Sequence, residues 1–371
     1  MEQMNSWGRM TRTADPDVAL QVNLLKQVIE RYRHDLAPYL PESGDRAAEV
    51  LRPGEYRLYD DATLVSRLEN AKQGSERLLE NEIRRARKVG AVRRMAQAPS
   101  AASLAALSTD YPHFQVVIEL LRQRAALAQV TAGRVYALPP ILLVGPGGVG
   151  KTAFAEAVAR CLSLPTRRVD MATTTASFVL AGSHSSWSSA RPGAIWSLLH
   201  GSESSGVMLV DEVDKAAESN HPPLGPLYRL LEPSSARAFM DEYVEVEIDA
   251  SNLFWFATCN DAEKIESALR SRFQECVIEA PTEAQMPAIA QSVYRERRKH
   301  GAWGSVFPEQ IDHQVAESMS ACTPRQLSAL IDAAVAHAAS CRRTSIKVED
   351  VAAARTAQQR QGRPVHRLGF L

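Results

Sequence analysis

Short, almost continuous apolar runs alternate with helical segments in the middle of the chain. The runs predict strands over residues 141–144, 167–170, 207–210, 253–258 and 275–279. The intervening segments, such as 153–162, have the three- and four-residue apolar spacing of helices. Because strands without polar alternation are buried on both faces, we predict an α/β fold with a parallel sheet between helical layers.

After Pro281 the strand pattern stops and only the helical spacing continues. It predicts four helices, over residues 282–300, 308–319, 324–339 and 348–359. Thr282 and Thr323 are suitable N-caps, and Pro324 suits a first helical position. We therefore predict a small all-helical domain after the α/β domain.

The first hundred residues differ from both regions. Apolar residues between 63 and 95 recur at helical spacing among charged ones, which fits one long amphipathic helix or two shorter ones. Residues 98–106, rich in Ala and Ser, are interpreted as a linker. The predicted division is a helical N-terminal region (1–100), an α/β domain (101–280), a helical domain (281–360) and a flexible tail (361–371).

Charge is balanced over the whole chain but uneven along it. The 43 basic residues equal the 43 acidic ones, which disfavours a uniform electrostatic grip on nucleic acid. Six basic residues nevertheless fall close together: Arg84, Arg85, Arg87, Lys88, Arg93 and Arg94. We interpret them as a solvated helix face partly neutralised by Glu80 and Glu82, with contact to an acidic partner as the alternative.

Three further features of the sequence predict a cytoplasmic protein without a membrane segment. No uncharged apolar run approaches the roughly 20 residues that span a bilayer. The start of the chain lacks the apolar core of a signal peptide. The five cysteines are widely spaced with no C-x-x-C pair, which is typical of reduced thiols.

The strongest chemical signal is a glycine-rich turn between a predicted strand and a predicted helix. It matches G-x-x-x-x-G-K-[ST], whose backbone N–H groups surround phosphate oxygens at a helix N-terminus. The predicted binding residues are Gly145, Pro146, Gly147, Gly148, Val149, Gly150, Lys151, Thr152 and Ala153. Lys151 is predicted to reach the β- and γ-phosphates of ATP, and the Thr152 hydroxyl to bind Mg²⁺.

A second acidic site follows the predicted strand at 207–210. Four apolar residues lead directly into Asp211 and Glu212. Asp211 is predicted to hold Mg²⁺ through water. Glu212, a carboxylate beside the metal-binding aspartate, is predicted to polarise the attacking water as the general base.

With these two motifs the chain resembles an AAA+ ATPase, and most of all the ATPase module of the Lon family, over about two thirds of its length. The resemblance implies a P-loop sheet domain followed by a helical lid, and self-association into a ring of six. It makes Asn260 the sensor-1 residue and Arg325 the sensor-2 residue. It also makes Arg272 the arginine finger that reaches the neighbouring subunit's ATP, with Arg270 as the fallback.

Two stretches resemble Lon more than AAA+ proteins in general. Residues 181–193, which end in Pro-Gly, are similar to the Lon segment that carries the first pore loop. This similarity places Trp187 where the family has the aromatic residue that grips a threaded polypeptide, although Trp187 could instead pack against a neighbour. Residues 227–233, followed by 239–248 and Asn252, resemble the stretch before sensor 1, with 219–225 as a second pore loop.

The chain also departs from the family. The Lon protease domain would follow the lid, but the chain ends at Leu371, so proteolysis by this chain alone is not expected. The family's short motif near the adenine corresponds weakly to residues 111–114, which makes His113 the predicted adenine neighbour. The tail, residues 362–371, is predicted to be disordered, with docking of Leu368, Phe370 and Leu371 on a separate partner as the alternative.

The leading hypothesis is an ATP-driven protein remodeller whose ring threads a polypeptide client, together with a separate peptidase or adaptor. Two alternatives stay open. A nucleotide-gated scaffold would recruit a partner without threading it. A nucleic-acid-directed motor would use the basic residues near Arg84 as its anchor, but the aromatic Trp187 favours polypeptide, because strand-tracking motors usually place Lys or Arg in the pore.

Overall fold

The computed structural model describes residues 51–74, 76–130, 135–174, 176–184, 187, 190–216 and 222–361. The predictions for residues 1–50, for residues 219–221 of the second pore loop and for the tail after 361 lie outside these ranges.

Residues 51–95 form two helices framed by a two-stranded ribbon. The helices are α1 (Asp61–Gln73) and α2 (Arg77–Val89), and the antiparallel strands are β1 (Glu55–Arg57) and β2 (Val92–Arg94). Asp60 caps α1 by accepting the backbone N–H of Thr63 at 2.8 Å. Of the two alternatives that the sequence left open, the structure has two shorter helices, and the chain turns into a strand at 92–94.

The basic residues of this region do not form one solvated face. Arg84 and Arg85 pair with Glu80 and Glu82, as predicted. Arg93, however, is fully buried, and its guanidinium donates to the carbonyl oxygens of Leu199 at 2.9 Å and Gly90 at 2.7 Å. For Arg93 the interpretation as a solvated charge is wrong, because strand β2 turns this side chain inward onto backbone acceptors.

One hydrophobic core joins residues 51–95 to a face of the central sheet. Leu64, Leu68 and Ile83 are buried in the same cluster as Trp196 and Met208. A backbone hydrogen bond of 2.7 Å from Asp249 to Leu58 also connects the two parts. Residues 51–95 thus share their core with the α/β domain.

The helices α3 (Ala101–Asp110) and α4 (Gln115–Val130) follow, joined by a 3₁₀ turn at Pro112–Phe114. The linker interpretation of 98–106 is wrong, since α3 begins inside it. Ser100 caps α3 by accepting the N–H of Ser103 at 3.0 Å, and alanine, the commonest residue here, is the strongest helix former.

A five-stranded parallel sheet lies at the centre, which confirms the predicted α/β fold. The remaining strands are β3 (Ile141–Val144), β4 (Thr166–Asp170), β5 (Val207–Asp211), β6 (Phe239–Met240), β7 (Glu247–Ile248), β8 (Phe254–Cys259) and β9 (Gln274–Val277). The sheet order is β4-β5-β8-β3-β9, while β6 and β7 form a separate antiparallel ribbon. The connecting helices are α5 (Lys151–Cys161), α6 (Phe178–Ala181), α7 (Ala194–His200), α8 (Leu227–Leu230), α9 (Pro233–Ala236) and α10 (Ser267–Arg270).

The four predicted helices of the lid are present as α11 (Met286–His300), α12 (His313–Glu317), α13 (Pro324–Ser340) and α14 (Val348–Gln361). Thr323 caps α13 in a capping box with Gln326, as predicted. Thr282 is not a cap, because α11 begins at Met286 after Gln285. The lid has its own apolar core and contacts the α/β domain through an ion pair between Arg295 and Asp110.

None of the described helices is long and apolar enough to cross a membrane.

Candidate nucleotide site

The carboxyl ends of three adjacent strands meet at a cavity under the helical lid. Because β5, β8 and β3 are neighbours in the sheet, the segments that follow them lie side by side. The cavity has a volume of about 920 Å³ and is lined by these segments, by α3, and by α11 and α13 of the lid. This volume is in the usual range for a small-molecule site. Residues 147–153 of the predicted P-loop line it, whereas Gly145 and Pro146 do not.

Two glycines allow the turn after β3 to adopt its path. A Cβ atom at Gly145 would lie 2.2 Å from the carbonyl oxygen of Ile278, so only glycine fits there. Gly150 has a φ of +99°, in the left-handed region that glycine adopts without strain. Helix α5 then begins at Lys151, and its N-terminus lines the cavity, where unpaired N–H groups and the helix dipole favour an anion.

Lys151 is buried, and its amine donates to three oxygen acceptors. These are the carbonyl oxygens of Gly145 at 2.7 Å and Pro146 at 3.0 Å, and the side-chain oxygen of Asn260 at 3.1 Å. Burial lowers the pKa of Lys151, while Asp211 and other nearby acidic groups oppose this shift. The amine thus rests on neutral oxygens that charged phosphate oxygens could replace.

Asn260 is held at the end of β8 by an acidic side chain from the segment after β5. The carboxylate of Asp214 accepts the backbone N–H of Asn260 at 3.0 Å and that of Asp261 at 3.2 Å. The predicted sensor-1 residue is therefore connected both to Lys151 and to the second acidic motif.

Thr152 and Asp211 form an oxygen-rich pair beside the P-loop. The Thr152 hydroxyl donates to the carboxylate of Asp211, with both carboxylate oxygens at 3.0 Å. Mg²⁺ prefers oxygen ligands and usually takes one or two from the protein beside substrate phosphates. No group of three or more His, Cys, Asp or Glu residues in the described ranges could hold a metal alone. The residues fit a Mg²⁺ ion shared with a nucleotide.

Two residues that the sequence analysis did not single out also contact Asp211. Arg168 of β4 lies 2.6 Å from its carboxylate. The Thr258 hydroxyl donates to the same carboxylate and accepts the backbone N–H of Glu212 at 3.0 Å. The sequence did carry signals for both residues. Thr258 is a polar residue inside the apolar strand β8, and Arg168 is a basic residue in the strand beside β5.

Glu212 lines the cavity next to Asp211 in an unusual backbone conformation. Its φ of 54° and ψ of 47° lie in the left-handed region, which non-glycine residues seldom adopt and which is concentrated at functional sites. Its carboxylate is 2.8 Å from the amine of Lys215. To act on a water molecule, the carboxylate would exchange this ion pair for a hydrogen bond to that water.

Two predicted residues from outside the sheet complete the cavity wall. Arg325, in the first turn of α13, lies against the P-loop. A Cβ atom added at Gly148 would be 3.0 Å from the Cβ atom of Arg325. The Nε2–H of His113 donates to the carbonyl oxygen of Val149 at 2.9 Å, and its Nδ1 is buried with no partner among the described residues. Burial lowers the pKa of His113, which favours the neutral ring.

The two candidate finger arginines differ in their surroundings. Arg270 is held by Glu275 at 2.5 Å and by Glu263 at 2.7 Å, so its charge is already neutralised. Arg272 has no carboxylate partner among the described residues; its guanidinium donates to the carbonyl oxygen of Ala268. Neither arginine lines the cavity of its own chain.

Trp187 lies on the segment between α6 and α7. Its side chain is 49% exposed and contacts the Phe178 ring edge-on at a centroid distance of 6.0 Å. The two sides of the segment pair with each other, because the N–H of Ser183 donates to the carbonyl oxygen of Arg191 at 3.1 Å. The structure thus leaves a large aromatic side chain exposed on a paired loop.

A single buried carboxylate holds one end of this loop and lies close to the other end. Asp241, which follows β6, accepts the backbone N–H of Gly193 at 2.8 Å and also those of Tyr243 and Val244. At the other end, a Cβ atom at Gly182 would lie 2.6 Å from an Asp241 oxygen. Burial raises the pKa of Asp241 to about 6, although the three N–H donors oppose the shift.

This raised pKa predicts a pH-dependent contribution to stability. The folded state holds the Asp241 proton more tightly than the unfolded state. Protonation of Asp241 therefore stabilises the fold most below the pKa of Asp241 in the unfolded chain, and this stabilisation is lost as the pH rises through about 6. The difference in free energy of unfolding between the parent and Asp241→Asn should therefore shrink by about 1 kcal/mol from about pH 5 to about pH 7.5. Urea unfolding measured at both pH values tests this, and an unchanged difference contradicts it.

The part of the chain that contains the P-loop and the acidic motif matches a known protein family. Residues 141–279 match the ATPase family associated with various cellular activities (AAA). These residues begin at β3 and extend just beyond β9, so they contain both phosphate-binding and acidic motifs.

Several curated Lon proteases are similar to the same part of the chain. The Lon protease of Salinispora arenicola is 34% identical over 164 residues, which are 44% of this chain and 21% of the relative. The peroxisomal Lon protease homolog 2 of Caenorhabditis briggsae is 33% identical over 136 residues, or 36% of this chain and 18% of the relative. The chain thus matches about a fifth of the length of these relatives.

Solved structures of the RuvB Holliday junction branch migration motor of Thermotoga maritima are also similar. One is 18% identical, with a TM-score of 0.44, and the match covers 66% of this chain and 68% of that one. Residues 141–279 thus match the AAA ATPase family, and this part of the chain is similar to a region of the Lon proteases.

Proposed function

We propose that the protein hydrolyses ATP with Mg²⁺ in a ring of six subunits and uses the reaction to thread polypeptide clients through the ring. The observation that carries the ATPase part is the convergence of Lys151, Thr152, Asp211 and Glu212 on one cavity at the ends of adjacent strands. The Lon-like ATPase region and the exposed aromatic loop support the threading part.

Each residue of the cavity has a defined task in this proposal. The N-terminus of α5 and Lys151 bind the phosphates, and Asn260 and Arg325 approach the γ-phosphate from the sheet and from the lid. Thr152 and Asp211 would hold the metal ion, which would neutralise negative charge on the phosphates. Glu212 orients the attacking water and accepts its proton.

The position of Arg272 supports a ring. An arginine that does not line the cavity of its own chain and has no carboxylate partner in the described ranges is available to another subunit. A planar guanidinium suits the charge that develops on a transferring phosphoryl group. Arg272 therefore acts on the ATP of the neighbouring subunit, and assembly is required for turnover.

The paired loop around Trp187 supports a polypeptide client. The half-exposed Trp187 ring combines a large apolar surface with a polar N–H group, so it can contact many different side chains. Because α7 begins directly after this loop and is buried against the sheet, movements of the ATPase domain reach the loop. Trp187 then moves along the pore as the angle between domain and lid changes.

The Trp187→Ala variant is expected to be unable to unfold a fluorescent client protein that carries an unstructured tail. It should still hydrolyse ATP in the absence of a client. Trp187→Tyr keeps an aromatic ring and should keep most of the unfolding. Loss of fluorescence measured with both variants and the parent is the test. An alanine variant that unfolds the tailed protein as fast as the parent contradicts the threading role.

The scaffold alternative makes a different prediction in the same experiment, because a parent protein that hydrolyses ATP but unfolds nothing would favour it.

The nucleic-acid alternative is weakened by the surroundings of the basic residues near Arg84. Arg93 is buried, and Arg84 and Arg85 are paired with carboxylates, so fewer free charges are available for phosphate contacts than the sequence suggests.

A further inference from the structure

Arg272 lies against an aromatic ring rather than free in solvent. Its guanidinium carbon is 5.4 Å from the centroid of the Tyr228 ring. One terminal nitrogen donates to the carbonyl oxygen of Ala268, and Nε is buried with no hydrogen-bond partner among the described residues. The ring of Tyr228 and one carbonyl oxygen therefore account for the described contacts that orient this guanidinium.

The Tyr228 ring is itself fixed at both ends. Helix α8 carries it, and the neighbouring Leu227 and Leu230 are buried in the core. The hydroxyl donates to the carboxylate of Glu266, which immediately precedes α10. Burial and the Glu266 contact raise the pKa of Tyr228 to about 12, so the hydroxyl keeps the proton that it donates.

We propose that Tyr228 is the positioning residue of the arginine finger: it holds the Arg272 guanidinium in the orientation from which it reaches the neighbouring subunit's ATP. This inference rests on the proposed role of Arg272 in the ring. A free arginine side chain samples many rotamers, and ordering it in the transition state opposes catalysis. Stacking on a fixed ring orders the guanidinium before the reaction. A partly exposed cation–π contact of this kind favours the stacked over the unstacked side chain by about fivefold.

Steady-state ATPase kinetics of the full chain test the proposal. Tyr228→Leu removes the ring but keeps an apolar side chain, and it should lower kcat about fivefold while the Kd for a slowly hydrolysed ATP analogue stays unchanged. Tyr228→Phe keeps the ring and loses only the Glu266 contact, so it should keep most of the turnover. A loss of the same size in both variants would overturn the role of the ring.

A subunit-mixing experiment separates positioning from a general folding defect. Lys151→Ala subunits are expected to bind no ATP but still offer an intact Arg272 and Tyr228 to a neighbour. Adding them in excess to Tyr228→Leu subunits should raise turnover per ATP-binding subunit towards the parent value. If Tyr228 acted only on its own subunit's site, or if the substitution damaged the fold of its own subunit, mixing would not restore turnover and the proposal would be overturned.

Arg272→Ala, measured in parallel, distinguishes this inference from the proposed function. If Arg272→Ala binds ATP but does not hydrolyse it, the finger role is supported and the Tyr228 variants report on positioning. If Arg272→Ala hydrolyses ATP normally, the finger role fails, and the Tyr228 proposal fails with it. If Arg272→Ala is inactive while Tyr228→Leu equals the parent, only the Tyr228 proposal is overturned.

Discussion

Glu212→Gln is expected to bind ATP normally and to lower its turnover by at least about 100-fold, the usual minimum contribution of a general base. The amide keeps the size of the side chain but cannot accept a proton from water. Glu212 is also the acid that lies beside Asp211 in the cavity, in a left-handed conformation that fixes where its side chain begins. Release of phosphate under saturating ATP gives the turnover.

In the proposed ring, the same variant should retain ATP and stabilise the assembly, which native mass spectrometry with ATP would detect. Glu247→Gln is a matched control, because it makes the same chemical change at an exposed position in β7. Equal turnover in Glu212→Gln and the parent would contradict the assignment of the base.

Lys151→Ala should lose nucleotide binding. Its buried amine donates to two P-loop carbonyl oxygens and to the side chain of Asn260, so it lies where the phosphates are proposed to bind. A ligand at about 100 times its Kd stabilises a protein by about 2.7 kcal/mol, which raises the Tm of a domain of this size by several degrees. The parent should show this ATP-dependent rise in Tm, and Lys151→Ala should not.

Lys264→Ala, at an exposed position after β8, is the control for loss of a positive charge. It should keep the full ATP-dependent rise in Tm. A Lys151→Ala protein with the parental rise would show that the P-loop lysine is not needed for binding, and the proposed ATP site would then be wrong.

Most of the residues that the sequence predicted for the nucleotide site line the candidate cavity, because the signals are local. The P-loop residues are contiguous, and Asp211, Glu212 and Asn260 lie at or directly after the carboxyl end of a short apolar strand. Parallel strands bring such ends together, so the predicted residues meet at one edge of the sheet. The five strands and the lid helices were predictable for the same reason.

The residues that were missed act through partners far away in the chain. Arg168 and Thr258 both contact Asp211, 43 and 47 positions away, and Asp241 holds a loop whose end at Gly193 is 48 positions away. Such contacts depend on which strands are neighbours, and residue spacing alone does not determine that. The burial of Arg93 was missed because its acceptors include the carbonyl oxygen of Leu199, on another element.

The shared core of residues 51–95 limits how the front of the chain can move. Movement of residues 51–95 relative to the α/β domain would need a solvated surface between the two. Here, Leu64, Leu68 and Ile83 are instead buried in the same cluster as Trp196. Pulling this layer away would expose apolar side chains to water at about 25 cal/mol for each square ångström uncovered. Helices α1 and α2 should therefore move with the α/β domain as one piece.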